Sequence, residues 1–351
     1  MSSFTPLFLE QLHIPHRLIK LIGEIARYQG KQALFQEKSP KMLQNLRQQA
    51  IIESVDYSNR LENIIVTPKE LDALVRENKA PEVNNRPQAE VAGYRDVLLQ
   101  IHESYHGIPF TDKVVLQFHR DLMRYTVSGG GTWKHTDNAI VARDTSGHIT
   151  QVRFQPVAPF QTPSAMAMLH QQLTYELTHG DVDALLLIPL YVLDFLCIHP
   201  FADGNGRMSR LLTTLLLYHQ GYEVARYVSI EHLVERSKES YYDTLYTASQ
   251  GWHESQHDPL PFMEYLLGLV LGAYRTLEER AHRELDAPEM KSHMVEKAIH
   301  AFKGQFTFSD LVLQCPLVSK PMVRVVLNQL KAQGILQSEG KGRAAYWFKP
   351  N

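Results

Sequence analysis

Cysteine is scarce in this chain, which contains only Cys197 and Cys315 among its 351 residues. The two lie far apart in sequence, and neither belongs to a Cys-x-x-Cys pair or to a cluster of histidines and cysteines. The sequence therefore excludes a disulfide framework and gives no indication of a zinc site. We expect the protein to reside in a reducing compartment, the cytoplasm.

Charge imbalance and long apolar runs are also absent. The formal net charge is −2, so no overall field attracts the protein to nucleic acids or membranes. The most apolar stretch, residues 184–198, is too short to span a bilayer and contains Pro189 and Asp194. No basic segment followed by an apolar run occurs at the start of the sequence, so no secretory signal is expected. We predict a buried core helix over residues 184–198 and no membrane association.

Helical spacing of apolar residues extends over most of the chain and predicts a mainly α fold. A length of 351 residues is enough for about two domains with a large core. We predict an N-terminal helical region over residues 1–90, a helical core over 91–280 and a small C-terminal domain over 291–351. The charged run at residues 278–289 is the predicted domain boundary.

One segment departs from the helical pattern. Three consecutive glycines, at residues 129–131, precede two short strand-like runs at residues 139–141 and 151–154, which a turn-rich segment at 144–147 separates. This pattern predicts a β-hairpin on an otherwise helical protein. From the residues alone, a surface hairpin without a functional role is an equally good interpretation.

Residues 199–210 have the sequence His-Pro-Phe-Ala-Asp-Gly-Asn-Gly-Arg-Met-Ser-Arg. Pro200 disfavours helical geometry at the preceding residue, and helical spacing resumes afterwards, so a second helix is predicted to begin near Asn205. Gly204 and Gly206 allow the backbone to approach a ligand closely. The free N–H groups at the start of the second helix favour an anion.

The side chains of this loop suit the phosphates of a nucleotide. Arg207 and Arg210 are three residues apart, so both guanidinium groups can reach one phosphate chain. Asp203 can supply the carboxylate that Mg²⁺ takes in addition to phosphate oxygens. His199 is the one nearby group whose ordinary pKa lies close to neutral pH, and it can accept a hydroxyl proton. Each feature taken singly is more often structural, but all of them within twelve residues favour a catalytic loop.

This stretch matches, at every specified position, the motif HPFx(D/E)GNGRxxR, and on it the chain resembles the Fic family. The resemblance implies a Fic-type helical core and nucleotide transfer to protein hydroxyl groups. It implies that His199 is the general base, that Asp203 binds Mg²⁺ and that Arg210 reaches the γ-phosphate. The nucleotide-binding residues that it implies in this loop are Phe201, Asp203, Gly204, Asn205, Gly206, Arg207 and Arg210. The related Doc-type motif has a lysine at the position of Gly206, and its absence favours AMP transfer over phosphorylation.

A helix predicted over about residues 41–63 ends with a second motif. Ser58 and Glu62 are four residues apart and share one helix face, and Asn63 suits a helix terminus. From spacing alone, the hexapeptide Ser58–Asn63 is best interpreted as a solvated helix end. The Fic resemblance implies another interpretation, because the hexapeptide fits the pattern (S/T)xxxE(G/N) of an inhibitory helix that precedes the core. Glu62 would then pair with Arg210 and keep it from the γ-phosphate.

The resemblance also implies roles for the hairpin and for a later helix. In Fic proteins a hairpin flap docks the target segment by strand addition. The target-docking residues would be Thr150, Gln151, Val152, Arg153 and Phe154. The helix that begins near residue 239 would contribute Tyr241, Tyr242 and Leu245 to an adenine pocket, although tyrosines at this spacing are also ordinary core residues.

The C-terminal segment, residues 291–351, predicts three helices and two strands, at residues 334–336 and 344–348. This arrangement resembles a winged helix, with Ser319 as the cap of its third helix. The residues placed to meet DNA phosphates are Lys320, Arg324, Lys341 and Arg343. Four positive charges are few for a DNA-binding surface, so a protein-contact module is the favoured interpretation.

The sequence and the resemblance together predict a protein adenylyltransferase, an enzyme that transfers AMP from ATP, with Mg²⁺, to a Ser, Thr or Tyr hydroxyl of a target protein or of itself. Two alternatives stay open: an enzyme that is bifunctional or mainly removes AMP, with Glu62 orienting the water, and a nucleotide-sensing DNA-binding regulator. The target protein and the oligomeric state, including a homodimer, also stay open.

Overall fold

The structure is a computed structural model that describes residues 3–38, 40–76, 83–143, 149–286, 288–302, 304–316, 318–340 and 345–350. The chain divides into two compact units, Met1–Leu277 and Glu278–Asn351. The first unit contains both the predicted N-terminal helical region and the predicted core, so the expected division near residue 90 falls inside it. Helices dominate the described residues, which confirms the prediction of a mainly α fold.

Twelve helices begin in the described part of the first unit. They are α1 (Pro6–Gln11), α2 (His16–Lys38), α3 (Pro40–Leu61), α4 (Pro68–Arg76), α5 (Arg86–Ser104), α6 (Asp112–Leu122), α7 (Thr162–His179), α8 (Ala184–Ile198), α9 (Asn205–His219), α10 (Ile230–Arg236), α11 (Lys238–Ser249) and α12 (Leu260–Asp286). Short 3-10 turns lie at Tyr105–Gly107, Pro159–Gln161, Val224–Arg226 and Trp252–Glu254. Helix α12 continues past Leu277 to Asp286, so most of the charged run predicted as a domain boundary is helical.

Helices α8 and α9 lie at the centre of the first unit and pack against each other. Helix α8 is apolar on all sides, and such a helix is stable only when it is surrounded by protein. Its one carboxylate, Asp194, is fully buried and accepts hydrogen bonds from the Ser3 backbone N–H (2.8 Å) and from Trp252 Nε1 (2.7 Å). Among the described residues, no helix is long and apolar enough to cross a membrane.

The predicted hairpin is present, as the antiparallel strands β1 (Ile140–Arg143) and β2 (Ile149–Phe154). Ile140 pairs with Phe154 and Val141 pairs with Val152, with an irregularity in the register between these pairs. The turn predicted at residues 144–147 lies outside the described residues. The hairpin leads into the 3-10 turn before α7, and strand β2 packs against α11.

The second unit has its own apolar core. Its elements are α13 (Pro288–Ala301), β3 (Phe306–Thr307), α14 (Phe308–Gln314), α15 (Lys320–Ala332), β4 (Gln337–Glu339) and β5 (Tyr346–Phe348), with the sheet order β3-β5-β4. The buried core includes Val295, Leu311 and Val326. Strand β4 begins after the run at 334–336 that the sequence predicted as a strand, because Gly334 has a positive φ and ends α15.

The predicted winged-helix features of this unit have different outcomes. Ser319 precedes α15 but makes no side-chain capping hydrogen bond, so the predicted cap is wrong in that respect. Arg324 lies over the ring of Phe308, with 5.0 Å between its Cζ atom and the ring centroid. Lys341 and Arg343 lie outside the described residues. The winged-helix assignment and the DNA contacts therefore stay predictions.

Candidate active site

The loop between α8 and α9 is fixed by hydrogen bonds within itself. Asn205 accepts a hydrogen bond from the Phe201 N–H at Oδ1 (2.9 Å) and donates one from Nδ2 to the Phe201 carbonyl (2.7 Å). The Phe201 ring is completely buried and stacks on the His119 ring, with 3.7 Å between the centroids. Gly204 has φ +82°, a conformation that favours glycine, and α9 begins directly after it. The loop is therefore preformed before any ligand binds.

His119 of α6 was missed by the sequence analysis. It supports the loop through a hydrogen bond to Asp203 and through stacking on Phe201. The Gly131 N–H donates to His119 Nδ1 (3.0 Å), so the proton of the neutral ring lies on Nε2, which donates to the Asp203 carbonyl (3.1 Å). Burial lowers the pKa of His119 to about 4, which keeps this tautomer neutral at pH 7. A histidine 84 positions upstream carries no local signal for this role.

His199 ends α8 in the left-handed region, with φ 51° and ψ 60°. Its Nδ1 atom lies 3.3 Å from the Leu196 carbonyl, an acceptor only, so Nδ1 carries the proton and Nε2 is the acceptor of the ring. Burial lowers the pKa of His199 to about 4, and the nearby Lys134 ammonium acts in the same direction. The structure thus differs from the sequence expectation, because this histidine titrates well below neutral pH and is a neutral base at pH 7.

Asp203 and Arg207 extend the loop toward α5. The Asp203 side chain is 52% exposed, and its Oδ2 lies 3.3 Å from Arg86 Nη2. The Arg207 side chain is almost fully buried, and its Nη1 lies 2.7 Å from Oε2 of the buried Glu90. Arg207 Nη2 lies 3.7 Å from Asp203 Oδ1. Asp203 is accordingly the accessible carboxylate of the loop, whereas Arg207 is a buried charge paired with Glu90.

Arg210 is bound by the end of α3. Its Nε donates to Ser58 Oγ (2.8 Å), and its Nη2 donates to the Ser58 carbonyl (2.8 Å) and to Glu62 Oε1 (2.9 Å). Burial opposes the charge of this guanidinium, but the Glu62 carboxylate raises the pKa of Arg210 above its ordinary value. A Cβ atom placed on Gly206 would lie 2.2 Å from Glu62 Oε1, so the carboxylate rests against the first turn of α9. An acidic side chain therefore lies where the helix N-terminus favours an anion.

Asn63 fixes where that carboxylate lies. Helix α3 ends at Leu61, and Asn63 follows with φ 61°. The Asn63 N–H donates to the Arg60 carbonyl (2.9 Å), and the Ile64 N–H donates to the Asn59 carbonyl (3.0 Å). These two bonds form a Schellman motif, in which the residue after the C-cap adopts the left-handed conformation that Gly and Asn tolerate best. Glu62 is the C-cap itself, so its position follows from the way α3 ends.

A cavity of about 180 Å³ brings many of the predicted site residues together. Those that line it are Glu62, Arg153, Phe154, His199, Gly206, Arg210, Tyr241, Tyr242 and Leu245. The sequence analysis missed Ile140, Leu193, Leu196, Cys197, Tyr246 and Ser249, which also line it. The cavity-lining residues of α8 are apolar, so the sequence does not distinguish them from ordinary core residues.

Other predicted site residues do not line this cavity. They are Ser58, Asn63, Thr150, Gln151, Val152, Phe201, Asp203, Gly204, Asn205 and Arg207. Ser58 is buried behind Arg210, whereas Val152 is exposed on β2.

Helix α11 and the turn after it form the side of the cavity next to the hairpin. Tyr241 is buried, and the Tyr242 hydroxyl donates to the Leu61 carbonyl of α3 (3.3 Å). The Phe154 ring stacks on His253, with 5.3 Å between the centroids, and the Arg153 guanidinium lies 5.7 Å from the centroid of the Tyr246 ring. Strand β2 is therefore anchored at its C-terminal end, beside the cavity that contains His199.

The described residues contain no group of three or more His, Cys, Asp or Glu side chains that could hold a metal ion by themselves. Mg²⁺ does not require such a group, because it commonly takes one or two carboxylates together with phosphate oxygens and water. Asp203 fits that mode of binding, since its carboxylate is half exposed on the loop before α9 and provides hard oxygen ligands.

A family model for the Fic/DOC family matches residues 109–217, which include α6, the hairpin, α8 and the loop before α9. Protein adenylyltransferase Fic of Aedes aegypti is 41% identical over 69 residues, which are 20% of this chain and 11% of that protein. Protein adenylyltransferase fic-1 of Caenorhabditis briggsae is 29% identical over 166 residues, 47% of this chain and 28% of that protein. The chain thus spans less than a third of the length of these relatives.

Solved structures extend the fold similarity to nearly the whole chain. A Fic family protein from Desulfovibrio desulfuricans superposes with a TM-score of 0.64 at 22% identity and covers 97% of this chain and 98% of that chain. A Fic domain containing signaling protein from Bacteroides thetaiotaomicron gives 0.60 at 20% identity, with 76% of this chain and 97% of that chain covered. Residues 109–217 thus match the Fic/DOC family, and the helical fold of the chain is similar to that of solved Fic family proteins.

Proposed function

We propose that the chain is a protein adenylyltransferase that transfers AMP from ATP to a protein hydroxyl group and that Glu62 holds it in an inhibited state. One observation carries the proposal: a single cavity is lined by His199, by Gly206 and Arg210 of the Fic motif, and by Glu62. The relatives named protein adenylyltransferase support the reaction class.

The proposed chemistry uses the neutral His199 ring. The hydroxyl oxygen of the target attacks the α-phosphorus of ATP and forms the new P–O bond. The bond between the α-phosphorus and the oxygen that bridges to the β-phosphate breaks, and pyrophosphate leaves. The hydroxyl proton passes to His199 Nε2, which is unprotonated because Nδ1 carries the ring proton.

Positioning of the phosphates supplies the rest of the proposed catalysis. The start of α9, with Asn205 and Gly206, offers backbone N–H groups to an anion, and Arg210 is the buried cation that the γ-phosphate would meet. Asp203 would hold Mg²⁺, which neutralises phosphate charge when bound. Tyr241, Tyr242 and Leu245 would contact the adenine, since these three residues line the cavity.

Inhibition follows from the contacts of Arg210. Its guanidinium donates to Ser58 and to Glu62, so fewer of its N–H groups are available to a phosphate. The Glu62 carboxylate also rests against the first turn of α9 and would repel a phosphate there. We infer that ATP binds in a competent geometry only when Glu62 moves or is removed.

The reaction class is tested with ATP that carries the label on either its α- or its γ-phosphate. The Glu62→Gly variant is expected to incorporate the α label into protein and not the γ label. Adding His199→Ala should lower that incorporation about 100-fold or more, the range typical of a general base. Labelling from the γ position would contradict the proposal and indicate phosphorylation.

AMP removal is a second candidate reaction of the same cavity. It is favoured by the Glu62 carboxylate, because this group lines the cavity together with His199 and can orient a water molecule. With an AMP-modified protein as substrate, release of AMP should fall in Glu62→Gly. Equal release by the variant and the wild type would contradict this role of Glu62.

A further inference from the structure

Lys134 and Asn138, in the segment before β1, contact the end of α8 and the catalytic loop. Lys134 Nζ donates to the Ile198 carbonyl (3.1 Å), and the Lys134 backbone N–H donates to the Pro200 carbonyl (2.8 Å). Asn138 Nδ2 donates to the Phe201 carbonyl (3.0 Å) and lies 3.4 Å from the His199 carbonyl. The four consecutive carbonyl oxygens at residues 198–201 thus each have a donor from these two residues.

The two side chains are also joined to each other. Lys134 Nζ donates to Asn138 Oδ1 (2.8 Å), which fixes the orientation of the amide so that Nδ2 faces the loop. Only 3% of Lys134 is exposed, and its ammonium donates hydrogen bonds to the neutral oxygens of Asn138 and Ile198, while the Asp137 carboxylate favours its charge. Burial lowers the pKa of Lys134 to about 8, a sign of lost solvation. Burial of a lysine is costly unless its ammonium is hydrogen-bonded, and here the hydrogen bonds go to Asn138 and to the last carbonyl of α8.

The segment that these donors hold in place is the end of α8 and the residues that follow it. The last carbonyls of a helix have no intrahelical partner, and a cation at that end interacts favourably with the helix dipole. His199 follows with a positive φ, a backbone conformation that is unfavourable for a residue other than glycine. Without donors for the carbonyls around it, the chain at His199 would relax toward an ordinary extended conformation.

We propose that Lys134 and Asn138 form a carbonyl clamp on residues 198–201 and are positioning residues that set the location of the His199 imidazole. The inference rests on the proposed function, because it assigns the clamp to the orientation of the proposed general base. The clamp explains how His199 keeps its left-handed conformation. Burial of Phe201 and the Asn205 hydrogen bonds fix the loop at Phe201 and do not involve His199.

The first test uses Glu62→Gly as the active background and adds Lys134→Met, which keeps the length of the side chain and removes its donors. We expect kcat for AMP transfer to fall about tenfold to a hundredfold, as misplacement of a catalytic group does, while KM for ATP changes by less than about threefold. Lys134→Arg, which retains a cation with several donors, should restore most of kcat. Lys113→Met, at an exposed position in the same unit, serves as the matched control.

The second test does not depend on activity. Hydrogen–deuterium exchange of the otherwise wild-type chain without nucleotide should become faster in the peptide that covers residues 199–204 in Lys134→Met, with α9 and α5 unchanged. Unchanged exchange in that peptide would overturn the clamp, as would an unchanged kcat or a loss of kcat that Lys134→Arg does not rescue. If Glu62→Gly transfers no AMP at all, the proposed function fails, and the exchange result still decides whether the clamp exists.

Discussion

At the scale of single residues, His199 combines a strained backbone with an imidazole that stays neutral. Its Nδ1–H faces the Leu196 carbonyl, and burial together with the Lys134 ammonium lowers its pKa from 6.5 to about 4. Glu62 and Asp203 act in the opposite direction but do not outweigh burial. A base of this kind is unprotonated over the whole physiological range, so its activity should not depend on pH near neutrality.

The pH dependence of AMP transfer tests this property. Because the pKa of His199 is lowered, the neutral form is present above about pH 4 and is lost only below it. Because the Glu62 carboxylate raises the pKa of His199, removal of Glu62 should lower that pKa further. For Glu62→Gly we expect kcat/KM to be flat between pH 7 and about 5, where Lys134 keeps its charge, and to fall at lower pH. A half-maximal rate near pH 6.5 would show that His199 titrates as an ordinary histidine or is not the base.

At the scale of elements, the end of α3 and the start of α9 meet through one short motif. Ser58 and Glu62 share a helix face, so both reach Arg210, and Asn63 ends the helix in the left-handed conformation. The left-handed conformation explains why Asn suits the position after Glu62. A residue that prefers another conformation at that position would displace the glutamate from α9.

Two substitutions of Asn63 test whether Glu62 is held by the left-handed backbone conformation of Asn63 or by a contact of the Asn63 side chain. Asn63→Gly should be tolerated, because glycine accepts a positive φ, whereas Asn63→Val should cost about 1–2 kcal/mol. We therefore expect the melting temperature of the valine variant to fall by roughly 2–4 °C. Its AMP transfer should rise above that of the wild type, since Glu62 is no longer held in place. If Asn63→Gly and Asn63→Val behaved alike in both measurements, the Schellman motif would not position Glu62.

Much of this helix–loop–helix arrangement could be predicted from the sequence. Pro200 and the helical spacing placed the end of α8 and the start of α9, and Asn63 indicated a helix end. The supporting contacts could not be predicted, because Lys134, His119 and Glu90 act across 64, 84 and 117 residues of sequence and carry no local pattern. The cavity lining from α8 is also apolar and is indistinguishable from core by periodicity.

At the scale of the whole molecule, the chain consists of two compact units, and the proposed nucleotide site lies entirely within the first. The second unit has its own buried cluster, built around Phe306, Leu311 and Leu327. A unit with its own core can unfold in its own transition. The effect of a ligand on stability should therefore be confined to the first unit.

Calorimetry of Glu62→Gly with and without Mg-ATP tests this confinement. At a nucleotide concentration about 100 times Kd, binding should stabilise the first unit by about 2.7 kcal/mol and raise its transition, while the transition of the second unit stays in place. A shift of both transitions would contradict it. Because we propose that Glu62 opposes the nucleotide, we expect the wild type to show a smaller shift at the same concentration.

The central claim is that Glu62 restrains AMP transfer through Arg210. Its most direct test is AMP incorporation from α-labelled ATP, at one ATP concentration, by the wild type, Glu62→Gly and the double variant Glu62→Gly with Arg210→Ala. Glu103→Gly, an exposed glutamate near the end of α5, is the matched control. We expect Glu62→Gly to exceed the wild type by about tenfold or more, which corresponds to about 1.4 kcal/mol, and the double variant to lose most of that gain. Equal incorporation by the wild type and Glu62→Gly would contradict the account, and Glu62 would then be only the polar end of α3.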